Sequence, residues 1–297
     1  MNSILKATAL QLQSFLTGFD NTVKSRPLMF PTSAHYPVFI LGAPRSGSTL
    51  LYQLLLRSFE AGYISNLMAL VPLKMVTIAK ILRSYYSVAS IKTSHFGYVG
   101  GLFSPSEAGA VQRFWFDNDL SPEEADWVRN TFVLLSQIIS GPIITKNLFN
   151  TFRLNRIRSI LPEARFIHIR RDPLFNAQSL LNARQKINGS ENIWWSIKPE
   201  GYMRTLDQAP EFQVLWQIKE TEKIVHDFFR IGQPDHFNIG YEDICNDAYS
   251  TLEKIGVWLE TQLKKPIPVE KLMFRNKINI SMEKWRKIQK IHSMMEG

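Results

Sequence analysis

The 297 residues are 45% hydrophobic and carry a formal net charge of +9, with 35 Lys and Arg against 26 Asp and Glu. That length allows one large α/β domain with its own core, and that charge favours an anionic partner: nucleic acid, an acidic membrane surface or a polyanionic small molecule. No Lys/Arg block, homeodomain-like helix or RNP signature supports nucleic acid; the single cysteine, Cys245, excludes an intrachain disulfide, and the six His show no metal-ligand spacing.

At the N-terminus, Ile4, Leu5, Leu12, Phe15, Leu16 and Phe19 recur at helical spacing instead of forming an uninterrupted apolar region, which argues against a secretory signal. Val38–Leu41 is a short buried strand that ends at Gly42-Ala43-Pro44, and from Ser48 the apolar positions Leu50, Leu51, Leu54, Leu55 and Phe59 follow a helix. Gly62–Ser65 reads as a second strand. Helical pieces follow around 67–86; the apolar run from Leu67 to Leu82 is broken by Pro72, Lys74 and Lys80 and is too short to span a bilayer. A cytoplasmic location is therefore expected. The segment from Lys92 to Ser106 is rich in turn residues.

Ser121 and Glu124 have the spacing of a capping box around Pro122, so a helix starts there and closes at Gly141-Pro142. Ile143–Lys146 is a strand with a basic last residue, and Leu154, Ile157, Ile160 and Leu161 line a helix that Pro162 ends. Arg165–Arg170 is the next strand, and Asp172-Pro173 opens a helix to about Lys186. A helix over 210–230, a strand over 236–241 and a helix over 247–262 complete the alternation. The pattern predicts one domain over 1–297: a three-layer α/β/α sandwich of the P-loop type, with about five mainly parallel strands. Ligands of such sheets bind beyond the carboxyl ends of the strands.

Gly42 to Thr49 has the G-x-x-x-x-G spacing of a phosphate loop. Backbone N–H groups at a helix N-terminus there form an anion site. The lysine that follows the second glycine in nucleoside triphosphatases is replaced by Ser48, and a basic residue has entered the loop as Arg45. A second candidate lies at Arg171-Asp172-Pro173, with Ser179 two helical turns beyond Asp172. An arginine at a strand end and a hydroxyl on the helix face can grip one phosphate between them.

The string PRSGSTLL, Pro44 to Leu51, resembles the 5'-phosphosulfate loop of the sulfotransferases that use 3'-phosphoadenosine 5'-phosphosulfate (PAPS), in the form shared by tyrosylprotein and many bacterial enzymes. The resemblance implies that Arg45, Ser46, Gly47, Ser48 and Thr49 hold the 5'-phosphosulfate. Arg171 and Ser179 are similar to the family's 3'-phosphate motif. Tyr241-Glu242-Asp243 resembles a segment whose tyrosine approaches the nucleotide, and Lys284-Trp285 resembles a pair whose lysine contacts the donor phosphates. The family's reaction moves a sulfuryl group onto a hydroxyl, with PAPS as donor and no metal. Lys146 stands where tyrosylprotein-like enzymes place a lysine on the sulfuryl group, and Arg45 shares in charge stabilisation.

The base is open. Tyrosylprotein-like enzymes have a glutamate after the second strand, where this chain has Ser65 and Asn66. Glu107, before the aromatic run Phe114-Trp115-Phe116, and His95 are two substitutes; a third possibility is neither. A helical insertion over roughly 66–140, rich in Leu, Met and aromatic residues, would shape a pocket for a small-molecule or lipid-like hydroxyl acceptor. The rival readings are a P-loop kinase or nucleotide hydrolase, and a non-catalytic PAPS-binding protein.

Overall fold

The computed structural model describes residues 23, 27–83, 94–95, 98–229, 234–264 and 276–296. The expected N-terminal helix over 4–19 lies outside them. In chain order the elements begin with β1 (Val38–Leu41), α1 (Ser48–Ser58), α2 (Asn66–Leu70), α3 (Met75–Ile81) and a hairpin of β2 (Ser94–His95) and β3 (Tyr98–Val99). There follow α4 (Gly109–Asp117), α5 (Pro122–Ile139), β4 (Ile144–Lys146), a 3-10 turn (Leu148–Phe152), α6 (Leu154–Ile160) and β5 (Arg165–Arg170). The last elements are α7 (Pro173–Asn188), α8 (Pro210–Phe228), β6 (His236–Gly240), α9 (Tyr241–Asn246), α10 (Ala248–Leu259) and α11 (Met282–Glu296).

The main sheet is parallel throughout, in the order β4-β1-β5-β6. All four residues of β1 are fully buried, which requires cover on both faces and accounts for the unbroken apolar run. On one face Phe39 of β1 stacks on Phe166 of β5, ring centroids 5.7 Å apart. The expected capping box at α5 is present: Glu124 N–H donates to Ser121 Oγ at 3.2 Å, and Ser121 N–H donates to Glu124 Oε2 at 2.8 Å. Asp172 caps α7 by accepting from the N–H groups of Leu174 and Phe175.

Among the described residues the main sheet has four strands, where about five were expected. Gly62–Ser65 makes only isolated bridges, Gly62 to Ile143 and Ser65 to Pro105. The chain leaves the sheet because Ser65 serves as the N-cap of α2, its Oγ accepting from Met68 N–H at 3.2 Å. The helix α4 is an addition to the expected elements; Val111, Gln112, Trp115 and Phe116 form its buried side. The basic tail is also helical, and α11 buries Trp285 and Ile288. Among the described residues no helix is long and apolar enough to cross a membrane.

His236 on β6 stacks on Phe229 with centroids 4.0 Å apart. Burial, with His168 and Arg170 nearby, lowers its pKa from 6.5 to about 4. The unfolded chain takes up a proton near 6.5 that the fold refuses, so stability is highest above that pH and falls as pH drops towards 4. Replacing His236 with phenylalanine should flatten the fall in Tm over this window; an unchanged slope would assign the acid sensitivity elsewhere.

Candidate active site

The turn after β1 owes its shape to two glycines. Gly42 has φ +150°, and a Cβ on it would lie 2.5 Å from the carbonyl oxygen of Ile169 on the neighbouring β5. Gly47 has φ +100° and immediately precedes α1; its Cβ would lie 2.5 Å from the Tyr241 ring. Between them Arg45 adopts a left-handed φ of 70°, a conformation that costs a non-glycine residue about 1–3 kcal/mol. Ser46 is fully buried, and its hydroxyl finds no partner among the described residues. The loop is thus a tight concave turn that ends on the first amides of an eleven-residue helix, α1.

The second motif closes on the first. Arg45 Nε donates to Ser179 Oγ at 3.2 Å, across 134 residues of sequence. Arg171, in the loop after β5, donates from one terminal nitrogen to the Arg45 carbonyl at 3.2 Å. Its guanidinium also stacks 4.6 Å from the centroid of Tyr241, the ring that packs on Gly47. Burial lowers the Arg171 pKa, opposed by Tyr241 and Glu242; an arginine nevertheless stays charged at any physiological pH. Arg45, Gly47, Arg171, Ser179 and Tyr241 are therefore linked in one cluster at the carboxyl ends of β1, β5 and β6.

Lys146 ends β4, in register with Ile40 of β1, on the other side of the loop strand from Arg171. Two strand spacings put their strands about 10 Å apart. Lys146 is buried, and its Nζ forms an ion pair with Glu107 Oε1. Glu107 itself remains 39% exposed. Its segment is docked beside residues 64–67: Ser106 N–H donates to the Ile64 carbonyl at 2.9 Å, and Asn66 N–H donates to the Ser104 carbonyl at 3.0 Å. Ser65 and Asn66, which stand where the resemblance implies a glutamate, are engaged in structure. Ser65 caps α2, and the Asn66 side-chain amide donates to the carbonyls of Val99 and Gly101. The carboxylate beside them comes instead from Glu107.

A model described as the sulfotransferase family matches residues 37–265. The chain belongs to the sulfotransferase family. Its fold is similar to that of sulfotransferase STF9 from Mycobacterium avium, at 13% identity and a TM-score of 0.51, covering 88% of this chain and 77% of that one. It is equally similar to sulfotransferase STF1 from Mycobacterium tuberculosis H37Rv, with 13% identity, a TM-score of 0.51 and coverage of 98% and 81%. No curated protein matches the sequence.

Of the other expected site residues of this sulfotransferase, Ser48 and Thr49 directly follow Gly47, Lys284 lies on a separate element and the His95 side chain lies outside the described residues. Lys284 is on α11 and pairs with Glu191. The backbone of His95 pairs with Tyr98 in the small hairpin, and its side chain lies outside the described residues. Ser48 and Thr49 form the first turn of α1. One residue that the motifs did not disclose, Asn276, bears on Arg171. Asn276 Oδ1 accepts from its Nε at 2.9 Å and from a terminal nitrogen at 2.7 Å, while Asn276 Nδ2 donates to Glu242 Oε1 at 2.6 Å. No local spacing could have revealed Asn276, which reaches Arg171 across 105 residues of sequence.

Gly47→Ala tests the loop. The methyl group would meet the Tyr241 ring in a backbone conformation that alanine rarely adopts. Binding of 3'-phosphoadenosine 5'-phosphate (PAP), measured by calorimetry, should weaken roughly tenfold to a hundredfold, the scale of 1–3 kcal/mol of backbone strain. Wild-type affinity in this variant would mean that the loop does not contact the nucleotide.

Proposed function

We propose that this sulfotransferase moves a sulfuryl group from PAPS to the hydroxyl of an apolar or amphipathic small molecule by in-line displacement, without a divalent metal. The observation that carries this reading is the contact of Arg45 with Ser179 and Arg171, which brings the phosphate loop and the second motif together. The loop amides and Arg45 suit the 5'-phosphosulfate; Arg171 and Ser179 suit the 3'-phosphate that distinguishes this nucleotide from ADP. The buried Ser46 hydroxyl, which has no partner among the described residues, supports the fit, as does the close packing of Gly47 on Tyr241, which leaves no room for a side chain.

In the transfer, the acceptor oxygen bonds to sulfur as the bond from sulfur to the 5'-phosphate oxygen breaks. The hydroxyl proton passes to Glu107, and PAP leaves with the electron pair of the broken bond. Lys146 donates hydrogen bonds to the sulfuryl oxygens and the bridging oxygen, where negative charge grows. Arg45 and the loop amides share that task, which is the work Mg²⁺ does in nucleotide kinases. Its position at the end of β4, apart from Arg171 and Ser179, supports the assignment of Lys146 to the sulfuryl end.

Exposed rings in the segments entering Glu107 and leaving Lys146, Phe103 at 42% and Phe149 at 43% exposure, support an apolar acceptor. The test is transfer from sulfur-labelled PAPS to a panel of phenols and long-chain alcohols in EDTA. Labelled sulfate ester is the expected product. Transfer that requires Mg²⁺, or phosphate transfer from ATP in its place, would favour a kinase; PAP binding without any transfer would favour a non-catalytic PAPS-binding protein.

A further inference from the structure

We propose that Gln112, with the buried polar chain behind it, positions the Glu107 carboxylate for proton removal; this rests on the assignment of Glu107 as the base. Gln112 occupies the buried side of α4, where an apolar residue would pack without needing partners. Its Nε2 donates to the Glu107 carbonyl at 3.1 Å, and Asn147 Nδ2 donates to the same oxygen at 3.3 Å. Two donors on one carbonyl fix the direction of that peptide group. On the far side of the Gln112 amide, Oε1 accepts from Asn150 Nδ2 at 2.6 Å. Asn150 Oδ1 accepts from Arg153 at 3.3 Å, and Arg153 holds both carboxylate oxygens of Asp117, at 2.5 and 2.7 Å.

The order of donors and acceptors is set from the outside inwards. Arginine has no acceptor, so Asn150 must turn its oxygen to Arg153 and its N–H₂ group to Gln112. Gln112 must then present its own N–H₂ group to Glu107. Gln112 and Asn150 are almost wholly buried, where an amide that lost its partner would carry a full desolvation penalty. The next residue along, Ala108, holds a left-handed φ of 46°, and its N–H donates to Ser106 Oγ at 3.0 Å. The backbone is therefore fixed on both sides of Glu107. Asn147 and Asn150 follow Lys146 in sequence, so the same chain holds the Lys146 and Glu107 segments in one register.

The experiment is steady-state sulfuryl transfer from PAPS to whichever phenol or alcohol of the panel turns over fastest, with PAP affinity and Tm measured alongside. Gln112→Met should lower kcat about tenfold to a hundredfold, the cost of a reacting group displaced by about an ångström. PAP affinity should stay within about twofold, because no donor-binding residue is touched. The acidic limb of the pH–rate profile should move, and the same substitution in a Glu107→Gln background should cost nothing further. Asp117→Asn, at the exposed end of the chain, should show a smaller loss of the same kind and carries the test should Gln112→Met not fold. Wild-type kcat in both variants would overturn the proposal, as would an equal loss in the Glu107→Gln background, which would mark a general structural role. If Glu107→Gln alone keeps full activity, or the wild type transfers nothing, the base assignment fails and the positioning role with it.

Discussion

Lys146→Ala is expected to lower kcat by about two to three orders of magnitude, the loss seen when an oxyanion-stabilising donor is removed from an acyl-transfer site. Its PAP affinity should change little, because PAP lacks the sulfuryl group. The structure sharpens that expectation. Lys146 is buried and its partner Glu107 is 39% exposed, so the carboxylate left behind can be hydrated and the fold should survive. Single-turnover transfer together with PAP calorimetry separates the effects. A variant that loses PAP binding and keeps kcat would place Lys146 on the nucleotide instead.

Glu107→Gln is expected to reduce kcat by roughly two to four orders of magnitude and to flatten the acidic limb of the pH–rate profile. The amide keeps the shape of the side chain and a hydrogen-bond acceptor for Lys146 but cannot take the acceptor's proton at working pH. His95→Asn should leave both kcat and profile close to wild type. The reverse pattern, with His95→Asn inactive and Glu107→Gln active, would move the base to the hairpin. Full activity in both would mean that the proton leaves by another route.

The motifs of the candidate donor site stand out in the sequence because their parts are local. A phosphate loop needs its glycines, arginine and hydroxyls within eight consecutive residues, Gly42 to Thr49, and the strand before and the helix after carry their own periodicity. The second motif is equally compact, spanning Arg171 to Ser179. What the spacing could not convey is that Arg45 and Ser179 meet, since nothing local encodes a contact across 134 residues. The acceptor half was less legible for the same reason. Glu107 gains meaning only when its segment docks against residues 64–67 and its carboxylate meets Lys146, 39 residues away. Gly62–Ser65 forms only isolated bridges where a strand was expected: its composition is strand-like, but Ser65 caps α2. The helix α4 was hidden by its aromatic run, in which Phe114 is half-exposed while Trp115 and Phe116 are buried.

Arg171 and Ser179 are the residues proposed to read the 3'-phosphate. A charge-assisted hydrogen bond contributes about 1.5–3 kcal/mol, or roughly a tenfold to hundredfold in affinity. Calorimetric titration of the wild-type protein with PAP and with ADP, in one buffer containing EDTA, measures that contribution directly. PAP should bind at least about tenfold more tightly than ADP, and Arg171→Ala should remove that preference. Equal affinity for PAP and ADP in the wild-type protein would contradict it.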